Sequence, residues 1–173
     1  MNLIITSSRH LESEAAEEIS EILEEFGDSN ATVEISDLSG ILTATTSLDP
    51  FLVVKKIREK ILDEPWLIRY CLRVIPLHDT VYTKKEDIVN SVLNHVNVMK
   101  IHDTYRITVE KRHSEIPTRE IISEIADKIQ NKVSLEKFDW VILIEILGKR
   151  TGIAILREDD VLSTNRVKRS LSE

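Results

Sequence analysis

The sequence predicts an α/β protein of the α+β kind. Residues 1–76 form a β-α-β-β-α-β layer, ferredoxin-like in element order; residues 77–157 form a second α/β layer; residues 158–173 are a polar tail. Three observations carry this reading. Apolar residues switch between a spacing of three and four and a spacing of two, the signatures of helix and strand. Turn and cap residues fall where the spacing switches. The charge also divides along the chain. Residues 1–65 hold five Lys and Arg against fourteen Asp and Glu, while residues 66–173 hold eighteen against sixteen.

In the first layer, Leu3–Thr6 is a short strand. Between Glu12 and Asp28, Ala15, Ala16, Ile19, Ile22, Leu23 and Phe26 make the apolar stripe of a helix whose eight carboxylates coat its solvent face. Gly27 marks its stop. Thr32–Ser36 and Ile41–Thr45 are β-rich, joined by the hairpin signal Asp37-Leu38-Ser39-Gly40. Asp49-Pro50 opens the second helix, since Asp caps well and Pro suits the first helical position. Its buried stripe is Val53, Val54, Ile57 and Ile61. Leu67–Ile75 alternates as a strand, with Ile68, Tyr70, Leu72 and Val74 on one face and Arg69, Cys71 and Arg73 on the other. It lies at the seam of the two layers, where both could share it, and Pro76 closes it.

The second layer restarts with a helix. Thr83-Lys84-Lys85-Glu86 reads as a capping box ahead of Ile88, Val89, Val92, Leu93 and Val96. Thr104–Glu110 alternates with Tyr105, Ile107 and Val109 inward. Another helix begins at Thr118 and carries Ile121, Ile122, Ile125, Ala126 and Ile129 at the same spacing as the one before. Trp140–Leu147 is almost wholly apolar, as expected of a strand covered on both faces. The turn Gly148-Lys149-Arg150-Thr151 leads into a last strand, Gly152–Leu156. Arg166, Lys168 and Arg169 cluster in the tail, which is either unstructured or one short helix.

Several function classes are excluded. A single cysteine, Cys71, leaves no disulfide framework or cysteine zinc site, and its position on a strand reads as an inert packed thiol. The apolar runs Trp140–Ile144 and Ile153–Leu156 are far shorter than the roughly 18 residues of a membrane span. Met1–Thr6 lacks the cationic and apolar regions of a signal peptide, so a cytoplasmic protein without membrane contact is expected. The five histidines make no metal-binding pattern, and neither metal nor cofactor is expected. Gly148 and Gly152 lack the lysine–hydroxyl pair of a phosphate loop; no dinucleotide fingerprint or nucleophile elbow exists. No catalytic residue can be named.

The positive signal is cationic. Lys111-Arg112-His113 ends a strand, Thr118-Arg119 opens a helix, and Lys149-Arg150 sits on a hairpin tip. Helix N-termini favour anions, and an adjacent Arg adds a bidentate donor. If the strands are neighbours, these groups line one sheet edge and follow a phosphate backbone. Each pair taken alone is also ordinary solvated surface, and Arg119 has Glu115 and Glu120 within reach. Arg69, Arg73 and Lys84 form a second tier. Aromatic residues are few, and the third strand, Ile41–Thr45, has no stacking rings, which excludes an RNA recognition motif.

Four segments together resemble a THUMP domain: Tyr105–His113, the helix start Thr118-Arg119-Glu120-Ile121-Ile122, the strand Trp140–Leu147, and the finish Gly152-Ile153-Ala154-Ile155. The run Pro65–Pro76 is similar to stand-alone THUMP proteins related to the adaptor for tRNA cytidine acetylation. The likeness covers about residues 1–157, with one departure, His10, where a glycine is expected. It implies a ferredoxin-like domain followed by a THUMP α/β domain with a mixed sheet. It also implies a module that binds the acceptor end of tRNA, including the single-stranded 3′ terminus, and that does not bind DNA. Past residue 157 no room is left for a catalytic unit, so the resemblance implies a non-catalytic adaptor serving a separate tRNA-modifying enzyme, an RNA cytidine acetyltransferase that makes N4-acetylcytidine. The positions it assigns to RNA are Lys111, Arg112 and Arg119, joined on physical grounds by Lys149 and Arg150. Two other classes stay open: a protein-docking module working through the acidic helix, and a small RNA-modifying enzyme with an unfamiliar site.

Overall fold

The computed structural model describes Met1–Glu173. In chain order its elements are β1 (Leu3–Ser7), α1 (Glu12–Glu25), β2 (Thr32–Ile35), β3 (Ile41–Thr45), α2 (Pro50–Asp63), β4 (Cys71–Pro76), β5 (Asp79–Tyr82), α3 (Lys85–His95), β6 (Tyr105–Arg112), α4 (Thr118–Lys128), β7 (Trp140–Leu147), β8 (Arg150–Leu156), β9 (Leu162–Ser163) and α5 (Thr164–Ser170). They divide into two units, Met1–Leu77 with Asp159–Glu173, and His78–Glu158. Both are mixed layers of helix and sheet, the α+β class the sequence predicts.

In the first unit the sheet runs β2-β3-β1-β4-β9, antiparallel throughout. Leu3 and Ile5 of β1 pack with Ala15, Ile19 and Leu23 of α1 and Val53, Val54, Ile57 and Ile61 of α2. Local chemistry sets the boundaries. Gly27, at φ 108°, ends α1 through a Schellman pair, Gly27 N–H to Glu24 O at 3.0 Å and Asp28 N–H to Leu23 O at 2.9 Å. The Asp49 carboxylate accepts from Phe51 N–H at 2.9 Å to cap α2.

Two expectations need correction here. The strand expected over Leu67–Ile75 is shorter, because Pro65–Leu67 forms a 3₁₀ turn and β4 begins at Cys71. A bulge between Arg73, paired with Thr6, and Cys71, paired with Ser7, reverses the alternation. Cys71 therefore joins Val74 in the core, and burial and the nearby Glu18 push its thiol well up from the usual cysteine range. The acidic helix also does more than coat itself with charge. Glu18 reaches the start of β4 and accepts from Arg69, Tyr70 and Cys71 N–H at 2.8, 3.1 and 2.9 Å. Of the two forms left open for residues 158–173, the structure has the short helix, α5, and it adds β9: β9 pairs with β4, Leu162 enters the core, and Lys168 Nζ donates to Ile68 O.

The sheet of the second unit runs β5-β8-β7-β6, with β6 and β7 parallel and the other pairs antiparallel. Ile88, Val89 and Val92 of α3 and Ile121 and Ile125 of α4 cover Ile142, Ile144, Ile146, Ile153 and Ile155. The residues between these on β7, Val141, Leu143 and Glu145, face the other way and are buried too. The capping box at Thr83–Glu86 does not form. α3 starts one residue later, and the Thr83 hydroxyl bonds Thr151 Oγ1 at 2.9 Å instead.

Candidate nucleic-acid interface

Sheet direction alone gathers most of the predicted cations. β6 and β7 are parallel, so the end of β6 at Arg112 lies beside the end of β7 at Leu147. The β7–β8 hairpin turns there on Gly148-Lys149, with Leu147 opposite Arg150, and β5 ends at Tyr82 opposite Arg150. Gly148 has φ 61°, which a two-residue hairpin asks of glycine at its first turn position. One sheet end thus presents Lys84, Lys111, Arg112, Lys149 and Arg150. Backbone bonds hold it together: Gly148 N–H to Arg112 O and Thr83 N–H to Lys149 O, both at 2.9 Å.

Strand alternation separates what the sequence displays as pairs. Tyr82, Arg150, Leu147 and Arg112 fall on the sheet face away from the helices, and Lys111 falls on the helix face. Lys111 Nζ donates to Ile116 O at 3.2 Å, which pins the loop leading to α4. Arg112 Nη1 meets Glu145 Oε2 at 3.1 Å, and Glu145 is 1% exposed. Arg112 is therefore a counter-charge for a buried carboxylate first. Its outer donors alone remain for a ligand, because the guanidinium carries five. Arg119 is exposed in the first turn of α4 and pairs with neither Glu115 nor Glu120. No side chain caps that helix start.

The second tier divides. Lys84 lies on this sheet end, two residues past the end of β5. Arg69 and Arg73 belong to the first unit: Arg69 Nε donates to Trp66 O at 3.1 Å, and Arg73 sits in β4 opposite Thr6 and Ser163.

Sequence reasoning missed the walls of the site. A cleft of about 410 Å³ at this end is lined by Tyr82, Thr83, Lys84, His113, Ser114, Gly148 and Lys149, with no carboxylate among them. Tyr82 is 65% exposed. His113 holds φ at 53°, a left-handed conformation unusual for a residue with a Cβ, which turns the chain out of β6 towards α4. Recognising β5 would have found Tyr82, but four residues reading Asp-Thr-Val-Tyr carry too little alternation to declare a strand. No three His, Cys, Asp or Glu side chains are placed to share a metal ion.

Residues 82–156 match the model of the THUMP domain. The chain has no match among curated proteins. Among solved structures it is similar to PH1313 from Pyrococcus horikoshii Ot3, with a TM-score of 0.70 and 17% identity over 91% of this chain and 55% of that one. TrmN from Thermus thermophilus matches at TM-score 0.55 and 10% identity, over 90% of this chain and 45% of that. A 4-thiouridine synthetase in complex with RNA and bound ATP matches at 0.55 and 10%, over 94% and 42%. The chain spans about half the length of these structures, and at such identities they establish a shared fold.

Proposed function

We propose that this chain is a tRNA-binding adaptor: it holds the acceptor and 3′ end of tRNA and presents it to a separate RNA-modifying enzyme, an RNA cytidine acetyltransferase making N4-acetylcytidine. The observation that carries the binding reading is that Lys84, Lys111, Lys149 and Arg150 gather at one sheet end, where Lys84 and Lys149 line a cleft without carboxylates and Lys111 and Arg150 flank it on opposite faces of the sheet. Phosphate backbones are gripped by such sets of cations. The match of residues 82–156 to an RNA-binding domain and the RNA in the 4-thiouridine synthetase structure support the same reading. The acetyltransferase rests on the sequence resemblance of Pro65–Pro76.

Labelled tRNA titrated at several salt concentrations tests the binding, with duplex DNA as control. Binding to tRNA near 50 mM salt that weakens as salt rises is expected, because each neutralised phosphate releases counterions. The combined substitution Lys111→Ala, Lys149→Ala and Arg150→Ala should lower affinity at least about tenfold and flatten the salt slope by about 0.7–0.9 for each phosphate no longer neutralised. Unchanged affinity and slope would remove RNA from this surface. N4-acetylcytidine in total tRNA, compared with and without the gene, tests the enzyme partner; equal levels would refute it.

A further inference from the structure

An exposed tyrosine on a sheet end is an unusual residue to leave in water. Tyr82 stands 65% exposed at the last position of β5, although tyrosine is large and its ring is costly to hydrate. It borders three separate concavities. On one side lies the cationic cleft with Lys84 and Lys149. On a second, Tyr82 and Arg150 line a smaller hollow with Thr80 and Val81. On the third lies a hollow that contains Asp79 and Asp87. Tyr82 thus borders two hollows that hold cations and one that holds carboxylates.

The backbone that carries the ring is held in place. Tyr82 pairs with Arg150 across the β5–β8 ladder, and Thr83, the next residue, is fixed by bonds to Lys149 O and to Thr151 Oγ1. Lys84 N–H turns back onto Tyr82 O at 2.8 Å. An exposed aromatic ring on a fixed backbone, beside lysines and an arginine, is the arrangement by which proteins seat an unpaired base: the ring stacks, and the cations take the adjacent phosphate. A duplex keeps its base faces stacked inside, so this ring has no base to stack on along one.

We infer that Tyr82 is a stacking platform for one unpaired nucleobase, with the flanking phosphate on the Lys84 and Lys149 side. The carboxylates of Asp79 and Asp87 repel the strand's phosphates and so bias them to that side. The lining residues that touch the base do so mainly through a π-face, so the seat discriminates single strands from duplexes more than one base from another. This inference rests on the RNA-binding reading above and adds the base seat to it.

The test uses the full chain and a labelled ten-nucleotide single-stranded RNA, with a duplex of equal length and tRNA alongside. Tyr82→Ala should weaken the single strand about tenfold, within the roughly 5- to 150-fold that removal of one stacked base implies. It should leave duplex affinity and the salt slope unchanged, because every cation that meets a phosphate is still in place. Tyr82→Phe should bind within about twofold of the parent protein, since the ring remains. Circular dichroism and melting confirm that an exposed side chain was removed without unfolding. Single-strand affinity of Tyr82→Ala within twofold of the parent overturns the stacking seat while tRNA binding stands. Absence of any RNA binding by the parent near 50 mM salt overturns the RNA reading and the seat together.

Discussion

In the first unit ten Lys and Arg face seventeen Asp and Glu, and in the second thirteen face thirteen. Several carboxylates of the first unit are turned to structural use. Glu18 caps the start of β4, Glu12 accepts from Gly40 N–H at 2.8 Å, and Asp28 ties the end of α1 to Thr46 and Ser47. The second unit is neutral, yet several of its cations stand at one sheet end without ion-pair partners. The contrast between the two units therefore lies less in net charge than in where the charges are placed. The basic cluster Arg166, Lys168 and Arg169, which made the later sequence look cationic, belongs to the first unit, where Lys168 binds a backbone carbonyl.

Arg112 crosses that division, and it offers the largest expected effect. It belongs to the proposed binding surface by position but behaves like the structural charges of the first unit. Removing one partner of a buried ion pair costs about 3–5 kcal/mol. The partly exposed guanidinium of Arg112 puts Arg112→Ala at or just below the lower end of that range, about 2–3 kcal/mol by chemical denaturation. Arg112→Lys should recover only part, since a point charge does not reproduce the guanidinium fork. Wild-type stability for Arg112→Ala would return Arg112 to the ligand-binding cations.

How far the sequence could be read depends on which residues carried redundant signals. α2 announced itself by a cap, a proline and a four-residue stripe together, and Asp49 and Pro50 stand where those signals put them. α1 was equally plain in its stripe, yet nothing local could show that Glu18 crosses 51 residues to meet Arg69. The inward turn of Cys71 depends on a bulge against β1, a long-range event invisible in an alternating string. At the cationic end, the cations themselves were legible. Their division between two faces was not, because it needs the strand register. Glu145 was hidden inside an apolar run, and Tyr82 in a strand too short to recognise. His10, where the family resemblance led us to expect glycine, adopts φ 69°, so the backbone geometry is kept without the glycine.

The claim that the acidic helix is partly structural is sharpened by comparing two of its carboxylates. Glu18 accepts three backbone N–H groups, whereas Glu21 is exposed. Stranding those donors should make Glu18→Ala cost about 2 kcal/mol, while Glu21→Ala stays within about 0.5 kcal/mol. Neither should alter tRNA affinity. Equal effects on stability would mean that α1 bears only surface charge.

The smallest effect expected is one of pH, and it belongs to Asp28. This carboxylate accepts from the Thr46 hydroxyl at 2.6 Å, from Ser47 N–H at 2.8 Å and from Asn30 N–H at 3.1 Å. The Thr46 bond first, and the backbone bonds after it, hold its pKa below the usual aspartate range. A lowered folded-state value means the unfolded chain takes up its proton first as acid is added. The stabilisation is therefore complete above the ordinary aspartate value of about 3.9 and is lost as pH falls from there through the lower folded-state value. Asp28→Asn removes the charge that those donors favour. Its melting temperature should lie roughly 3–6 °C below the parent at pH 7, with the gap closing as pH drops below about 3. A gap that stays constant from pH 7 to pH 2 would mean that the side chain acts there through shape and neutral hydrogen bonds, and that its charge contributes nothing to joining α1 and β3.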